Sequence, residues 1–119
     1  MTVEGRHTAR SLGSGSLPVL GTPAMTALME QAATNLAQLL LPEGWTSVGT
    51  ALSIEHVAAT PVGALVRGVA TVEEVAGRRL RYRVEAFDEA GRIGRGTHDR
   101  YVVETEKFMA KAQDKLHKK

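Results

Sequence analysis

The chain has 119 residues, of which 43% are hydrophobic and 24% charged, and its formal net charge is +2. This length and composition are typical of one soluble globular domain. The absence of cysteine excludes disulfides, thiolate nucleophiles and thiolate metal sites. No apolar run reaches the ~20 residues of a membrane span, and the amino terminus has no secretory pattern. We therefore expect a cytoplasmic protein with no membrane partner.

The basic residues are concentrated in two places, the arginines of 78–83 and the lysines of 111–119. Nucleic-acid-binding domains usually combine such charge with several aromatic rings, whereas aromatic residues make up 4% of this chain. We therefore expect no nucleic-acid partner. The simplest interpretation of the strand arginines is a solvated sheet face, and that of the tail is a frayed helix end.

The first predicted elements are a lead-in loop and a helix. Residues 1–20 have loop composition, with glycine and serine alternating near Ser14. Thr22 predicts an N-cap, because Pro23 after it suits the first helical position. A helix is expected from about Pro23 to Leu40, and its apolar residues surround nearly the whole circumference. Such a helix is expected to be buried on most sides.

The sequence after this helix predicts four strands and a C-terminal helix. Strands are expected at 51–58, 64–75, 79–88 and 93–104, with hairpin turns at 76–78 and 89–92 and a basic helix at 106–116. In the first strand, Leu52, Ile54 and His56 share one face. One apolar helix followed by four antiparallel strands predicts a single α+β domain over 1–119, with the sheet wrapped around the helix.

Three side chains in these elements carry the parts of a hydrolytic site: Thr22, Glu30 and His56. Each also has a simpler explanation. Thr22 can be only a helix cap, and a histidine on an apolar strand face is more often a core residue. Glu30 is the hardest to explain structurally, because a carboxylate in so apolar a helix is costly unless it is paired or lies at an interface. Thr26, one turn before Glu30, is a rival hydroxyl.

The helix geometry separates two of these groups. Over the eight residues from Thr22 to Glu30 a continuous helix rises about 12 Å and leaves the two side chains about 80° apart. They could not touch within one protomer. Either the helix begins later than Pro23 or one of the two groups comes from across a dimer interface, and we favour the interface. A metal site is not expected, because the other histidines show no ligand spacing with His56.

Six segments in order, with matching spacing, carry a resemblance to the hot-dog-fold thioesterases related to fluoroacetyl-CoA thioesterase. They are Ser14–Pro23, Leu28–Glu30, Val48–Thr50, His56–Gly63, Gly77–Leu80 and Ile93–Arg100. The resemblance implies a homodimeric hot-dog protein that acts on acyl-CoA thioesters.

The resemblance also assigns the site. It implies that Thr22, Glu30 and His56 are the catalytic threonine, glutamate and histidine, and that Gly49 and Arg100 line the acyl-CoA site. For the arginines, the alternative to a solvated face is that Arg78, Arg79 or Arg100 meets the phosphates of CoA, where guanidinium groups make bidentate bonds, and we favour Arg100.

Two features depart from the family pattern. The amino-terminal strand that opens this fold is short, and residues 1–44 contain no aromatic ring to sense a fluorinated acyl group. We therefore expect hydrolysis of a small or medium acyl-CoA, with neither metal nor cofactor. The alternatives are a non-catalytic acyl-CoA-binding or sensing domain and, less favoured, a hydratase or dehydratase.

Overall fold

A computed structural model of the chain describes residues 1–117 and shows one long helix packed on a four-stranded antiparallel sheet. This is the α+β architecture predicted from the sequence. The elements are α1 (Ala9–Leu12), α2 (Thr22–Gln38), β1 (Trp45–His56), β2 (Val66–Ala76), β3 (Arg79–Asp88), β4 (Gly91–Glu104) and α3 (Thr105–Gln113), with 3₁₀ turns at Gly5–His7 and Asp114–His117. Lys118 and Lys119, the end of the predicted basic tail, lie outside the described residues.

The lead-in segment contains more regular structure than the predicted loop. It forms a 3₁₀ turn and α1, whose first turn is capped by the Thr8 hydroxyl accepting from the Ser11 N–H. The extreme amino terminus runs beside the start of β2, where the Val66 N–H donates to the Met1 carbonyl at 2.8 Å. The segment therefore packs on the domain and reaches α2 already ordered.

Helix α2 is buried along one stripe. Its buried residues, Met25, Met29, Ala33 and Ala37, recur every four positions, which places them on one face. The prediction of burial on most sides is wrong for a single protomer. The helix also ends at Gln38 rather than Leu40, and Leu40, beyond its end, is 87% exposed.

The strands lie in the order β1-β4-β3-β2, so that β1 and β2 form the two edges. β3 has the predicted bounds, whereas β1 begins six residues earlier than predicted, at Trp45. The alternation predicted for β3 is present, with Tyr82, Val84 and Ala86 fully buried on the face that α2 covers.

An irregularity in β1 brings one more residue onto the inner face. Gly49 pairs with Arg100 and Ala51 with Asp99, which leaves Thr50 as the extra residue of a β-bulge. Because the bulge shifts the alternation by one residue, Gly49 shares the inner face with Leu52, Ile54 and His56. The sequence predicted this face without the bulge and without Gly49.

Strand β4 packs so closely on β1 that one position excludes a side chain. A methyl group at Gly96 would overlap the Ser53 carbonyl oxygen and approach Ile54 Cα to 2.8 Å. Both are backbone atoms, which cannot rotate away as a side chain could.

We expect Gly96→Ala to lower the free energy of unfolding by about 1–3 kcal/mol, the usual cost of forcing an extra carbon into packed structure. Urea denaturation followed by circular dichroism measures this change. Gly5→Ala is the matched control, since no atom outside its chain neighbours lies within 4 Å of a methyl group there. Equal stability of the two variants would contradict the close β1–β4 packing.

Candidate active site

Thr22 and His56 form a hydrogen-bonded pair where α2 begins and β1 ends. Thr22 Oγ1 lies 2.9 Å from His56 Nδ1. The prediction of Thr22 as an N-cap is wrong: Gly21 is the N-cap residue, Thr22 is the first helical residue, and no side chain caps this end. The threonine hydroxyl therefore bonds to the histidine rather than to the helix backbone.

His56 is half-buried, and its other ring nitrogen is left without a partner. Nε2 is buried and has no hydrogen bond to any residue among 1–117. A buried polar atom of this kind is uncommon in a native protein and needs a partner from outside. The nitrogen is thus available to a ligand or to a second subunit.

Burial lowers the pKa of His56 below its ordinary 6.5, and the nearby Ala58 backbone partly opposes this shift. The imidazole is therefore neutral at pH 7 and can accept a proton. Because the unfolded chain binds this proton more readily, the residue's contribution to stability is complete above pH 6.5 and is lost as the pH falls towards the folded-state pKa.

The pair opens into a cavity of about 350 Å³. One wall comes from the lead-in segment and the other from the chain after β1. The remaining lining residues are small or aliphatic, apart from one serine: Ala9, Ser14, Val19, Leu20, Val57, Ala58 and Ala59. Among the residues that the structure describes, no Phe, Tyr or Trp side chain lines this cavity.

Glu30 lies in a second cavity, of about 260 Å³, beside the bulge of β1. Its carboxylate is half-buried and comes so close to the strand that a methyl group at Gly49 would lie 2.9 Å from Oε2. Glycine at this position therefore leaves room for the carboxylate against the strand backbone.

Arg100 is buried behind Gly49, with only 6% of its surface exposed. Its Nε donates to Ser47 Oγ at 2.8 Å, its Nη2 to the Ser47 carbonyl at 2.9 Å, and its Nη1 lies 3.1 Å from His98 Nε2. Burial lowers the pKa of Arg100, and the negative charge of Glu30 opposes this shift. Within residues 1–117 no carboxylate forms a close ion pair with this guanidinium, and Glu30 acts on it through its charge alone.

The predicted site residues therefore fall into two clusters along the inner face of β1. Thr22 and His56 form one cluster, and Glu30, Gly49 and Arg100 form the other. Because α2 is continuous from Thr22, the two clusters stay about 12 Å apart along the helix. The structure does not bring Thr22 and Glu30 together within one protomer.

Arg78 lies in a third cavity, of about 310 Å³. Its guanidinium stacks on Trp45, with Cζ 5.0 Å from the ring centroid. Lys107, Phe108 and Lys111 of α3 also line this cavity. Arg78 is therefore separate from Gly49 and Arg100, with which it was grouped in the sequence prediction.

Two residues of the Arg100 cluster were not predicted, His98 and Ser47. The alternation of β4 offered a signal for His98, because it places residues 98 and 100 on the same face. Ser47 could not have been found, since the predicted strand began after it.

Within 1–117, no group of three or more His, Asp or Glu side chains is arranged to hold a metal ion. In the same range, none of the helices combines the length and hydropathy required to cross a bilayer.

Comparison with known proteins agrees with this fold. Residues 3–106 match the family described as FlK, fluoroacetyl-CoA-specific thioesterase. The fluoroacetyl-CoA thioesterase of Streptantibioticus cattleyicolor is 44% identical over 97 residues, which cover 82% of this chain and 70% of that protein.

Solved structures show the same relationship. A point mutant of FlK in complex with fluoroacetate and CoA superposes with a TM-score of 0.90 at 39% identity, over 97% of this chain and 94% of that chain. A Thermus thermophilus protein described as a thioesterase superfamily member superposes with a TM-score of 0.90 at 30% identity, over 98% and 87% of the two chains. A hot-dog-like protein from Thermanaerovibrio acidaminovorans gives 0.87 at 28% identity, over 97% and 85%. These matches confirm the resemblance found in the sequence and the thioester-hydrolase class that it implies, and the chain belongs to the fluoroacetyl-CoA-specific thioesterase (FlK) family.

Proposed function

We propose that the chain hydrolyses a small or medium acyl-CoA to the free acid and CoA. The observation that carries the proposal is the Thr22–His56 pair, which combines a 2.9 Å hydrogen bond with a buried, unpartnered Nε2 at the mouth of a cavity. A hydroxyl, a neutral imidazole and a helix N-terminus together suit a carbonyl that becomes an oxyanion.

In the proposed reaction, Glu30, Thr22 and His56 have different roles. Glu30 accepts a proton from water, whose oxygen attacks the thioester carbonyl. The resulting oxyanion is stabilised by the α2 N-terminus and Thr22, and by the Gly49 N–H and Arg100 where these reach it. The C–S bond then breaks. Glu30 passes the proton that it took from water to His56, and the protonated imidazole delivers it to the departing thiolate sulfur.

These roles require Glu30 to lie beside Thr22 and His56. We infer that a homodimer brings the three residues together. β1 is an edge strand, and residues 49–53 along it are all exposed in one protomer. Unpaired strand edges readily pair with a second chain. Antiparallel β1–β1 pairing centred on Ser53 puts Gly49 opposite the partner's His56, because the extra residue Thr50 leaves both positions three ladder steps from the centre. The partner's Glu30 would then stand beside the Thr22–His56 pair.

The nucleotide end of CoA is assigned to the cavity around Arg78. Arg78, Lys107 and Lys111 provide three cations there, against the single carboxylate of Glu104. Trp45 lies four residues before Gly49 on β1, which is about 13 Å along a strand. The phosphates of CoA are thus proposed to bind to these cations while the acyl group reaches Gly49 and Arg100.

The acyl group is proposed to be small or medium without preference for fluorine. The S. cattleyicolor relative is a fluoroacetyl-CoA thioesterase. In this chain, however, small and mainly aliphatic side chains line the cavity beside Thr22, and none of its lining residues among those described is Phe, Tyr or Trp. The cytoplasmic location expected from composition remains a prediction.

A thiol-release assay over a panel of acetyl-, butyryl-, hexanoyl- and fluoroacetyl-CoA tests the proposal. We expect one CoA released per acyl-CoA consumed, with no rate advantage of fluoroacetyl-CoA over acetyl-CoA. Saturable binding of acyl-CoA without thiol release would replace the hydrolase by a sensing domain. Loss of the conjugated absorbance of an enoyl-CoA would instead indicate a hydratase.

A further inference from the structure

We propose that His98 is a positioning residue, which holds the Arg100 guanidinium beside Gly49 and does so as the neutral imidazole with its proton on Nδ1. The partners of His98 are Ala51, Arg100 and Tyr82, and they do not include Thr22 or His56. In this proposal His98 acts only through Arg100. The inference rests on the proposed function, because Arg100 matters for catalysis only if the acyl-CoA site lies beside it.

The hydrogen-bond chemistry fixes the state of the ring. His98 Nδ1 lies 2.8 Å from the Ala51 carbonyl oxygen, which can only accept, so Nδ1 carries a proton. His98 Nε2 lies 3.1 Å from Arg100 Nη1, which can only donate, so Nε2 carries none. Both nitrogens are thus satisfied by one tautomer, and a protonated ring would oppose the guanidinium with a second cation.

The surroundings keep the ring in place. His98 is 1% exposed and stacks on Tyr82, with ring centroids 6.5 Å apart and planes at 30°. The Ala51 carbonyl that anchors Nδ1 directly follows the bulge at Thr50. The bulge therefore aims both Gly49 and the anchor of His98 at the same cavity.

The charged and titratable groups around His98 are few. Arg100 faces it along β4, Tyr82 from β3 and Glu30 from α2, while β1 contributes the Ala51 carbonyl and the Gly49 backbone. Asp99, the next residue of β4, is bound bidentately by Arg81. Arg100 is the cation that His98 meets directly.

The three groups converge on Gly49. A methyl group at Gly49 would lie 3.1 Å from His98 Cε1 and 3.4 Å from Arg100 Nη1, in addition to its contact with Glu30 Oε2. Three of the five guanidinium N–H groups are used by Ser47 and His98. One N–H on each Nη remains, and His98 sets the direction of the one on Nη1.

Two substitutions of similar size separate positioning from packing. His98→Gln can still present an oxygen acceptor to Arg100 Nη1, whereas His98→Leu cannot. We expect kcat for acyl-CoA hydrolysis to fall about 10-fold or more in His98→Leu, the scale of a lost supporting partner, and to stay within about 3-fold of the parent in His98→Gln. KM is expected to change less than kcat. Equal losses in both variants would overturn the proposal.

A double-mutant cycle asks whether His98 acts through Arg100. In an Arg100→Ala background, His98→Leu should cause no further loss of kcat, because the group that it positions is gone. Multiplicative losses in the cycle would show that His98 acts independently and would reject the positioning role.

The tautomer has its own measurement, which does not depend on activity. Two-bond ¹H–¹⁵N correlation spectra of the intact protein should show one histidine with a protonated Nδ1 and an unprotonated Nε2, absent from the spectrum of His98→Gln. A protonated Nε2 in that histidine would refute the assignment even in a folded parent protein. Absence of thiol release in a parent protein with the expected tautomer would reject the proposed function instead.

Discussion

Glu30→Gln is expected to lower kcat on the best acyl-CoA by about 10²-fold or more, the loss that follows when a positioned general base is removed. The amide keeps the size of the side chain beside Gly49, so the packing of α2 on β1 is preserved. It cannot accept a proton from water, however, and the attack on the thioester slows. Thiol release at saturating acyl-CoA measures the effect directly.

The control for this change is Glu73→Gln, which also removes one carboxylate but on β2, where Glu73 is exposed and lies 3.7 Å from Arg83. We expect parental turnover from it, because an exposed ion pair of this kind contributes little. Parental turnover from a folded Glu30→Gln variant would remove Glu30 from the proposed chemistry. A fall in KM alone, without loss of kcat, would have the same meaning.

Much of the fold followed from periodic patterns in the sequence. The two-residue alternation of Leu80, Tyr82 and Val84 predicted both the bounds of β3 and its buried face. The same alternation predicted that His56 faces inward. These positions were predictable because burial on one face of a sheet imposes the pattern residue by residue.

The features that were missed arise from contacts between distant segments. Thr22 has the sequence context of a cap, but its hydroxyl bonds to His56, 34 residues away. The bulge at Thr50 depends on the pairing register between β1 and β4. Neither a local propensity nor a repeat encodes such contacts, so the sequence could propose candidate residues but not their arrangement in space.

The sequence of α2 led us to predict burial on most sides of the helix, and this prediction is wrong for one protomer. Its sequence is apolar nearly all round, yet one stripe is buried in the single protomer. Glu30 is half-buried at the edge of that stripe, and β1 leaves its outer edge open beside it. Both observations favour a second protomer against this side of the molecule.

A mixed dimer gives the sharpest test of that arrangement. In a two-fold dimer, each proposed site takes Thr22 and His56 from one subunit and Glu30 from the other. A heterodimer of Glu30→Gln with His56→Ala then contains one site with both changes and one site with neither. We expect each homodimer to be inactive and the purified heterodimer to regain about half of the parental activity, because one of its two sites is intact.

Differently tagged subunits allow the heterodimer to be isolated by two successive affinity steps and assayed for thiol release. The matched control is the heterodimer of Thr22→Val with His56→Ala. Each subunit then carries a change in the Thr22–His56 pair that it contributes to one site, so both sites are damaged and the heterodimer should stay inactive. If all three residues worked within one subunit, the first heterodimer would also stay inactive, because each subunit would carry one change. Its inactivity as a stable dimer, or a monomeric parent enzyme with full activity, would therefore disprove a site shared across β1.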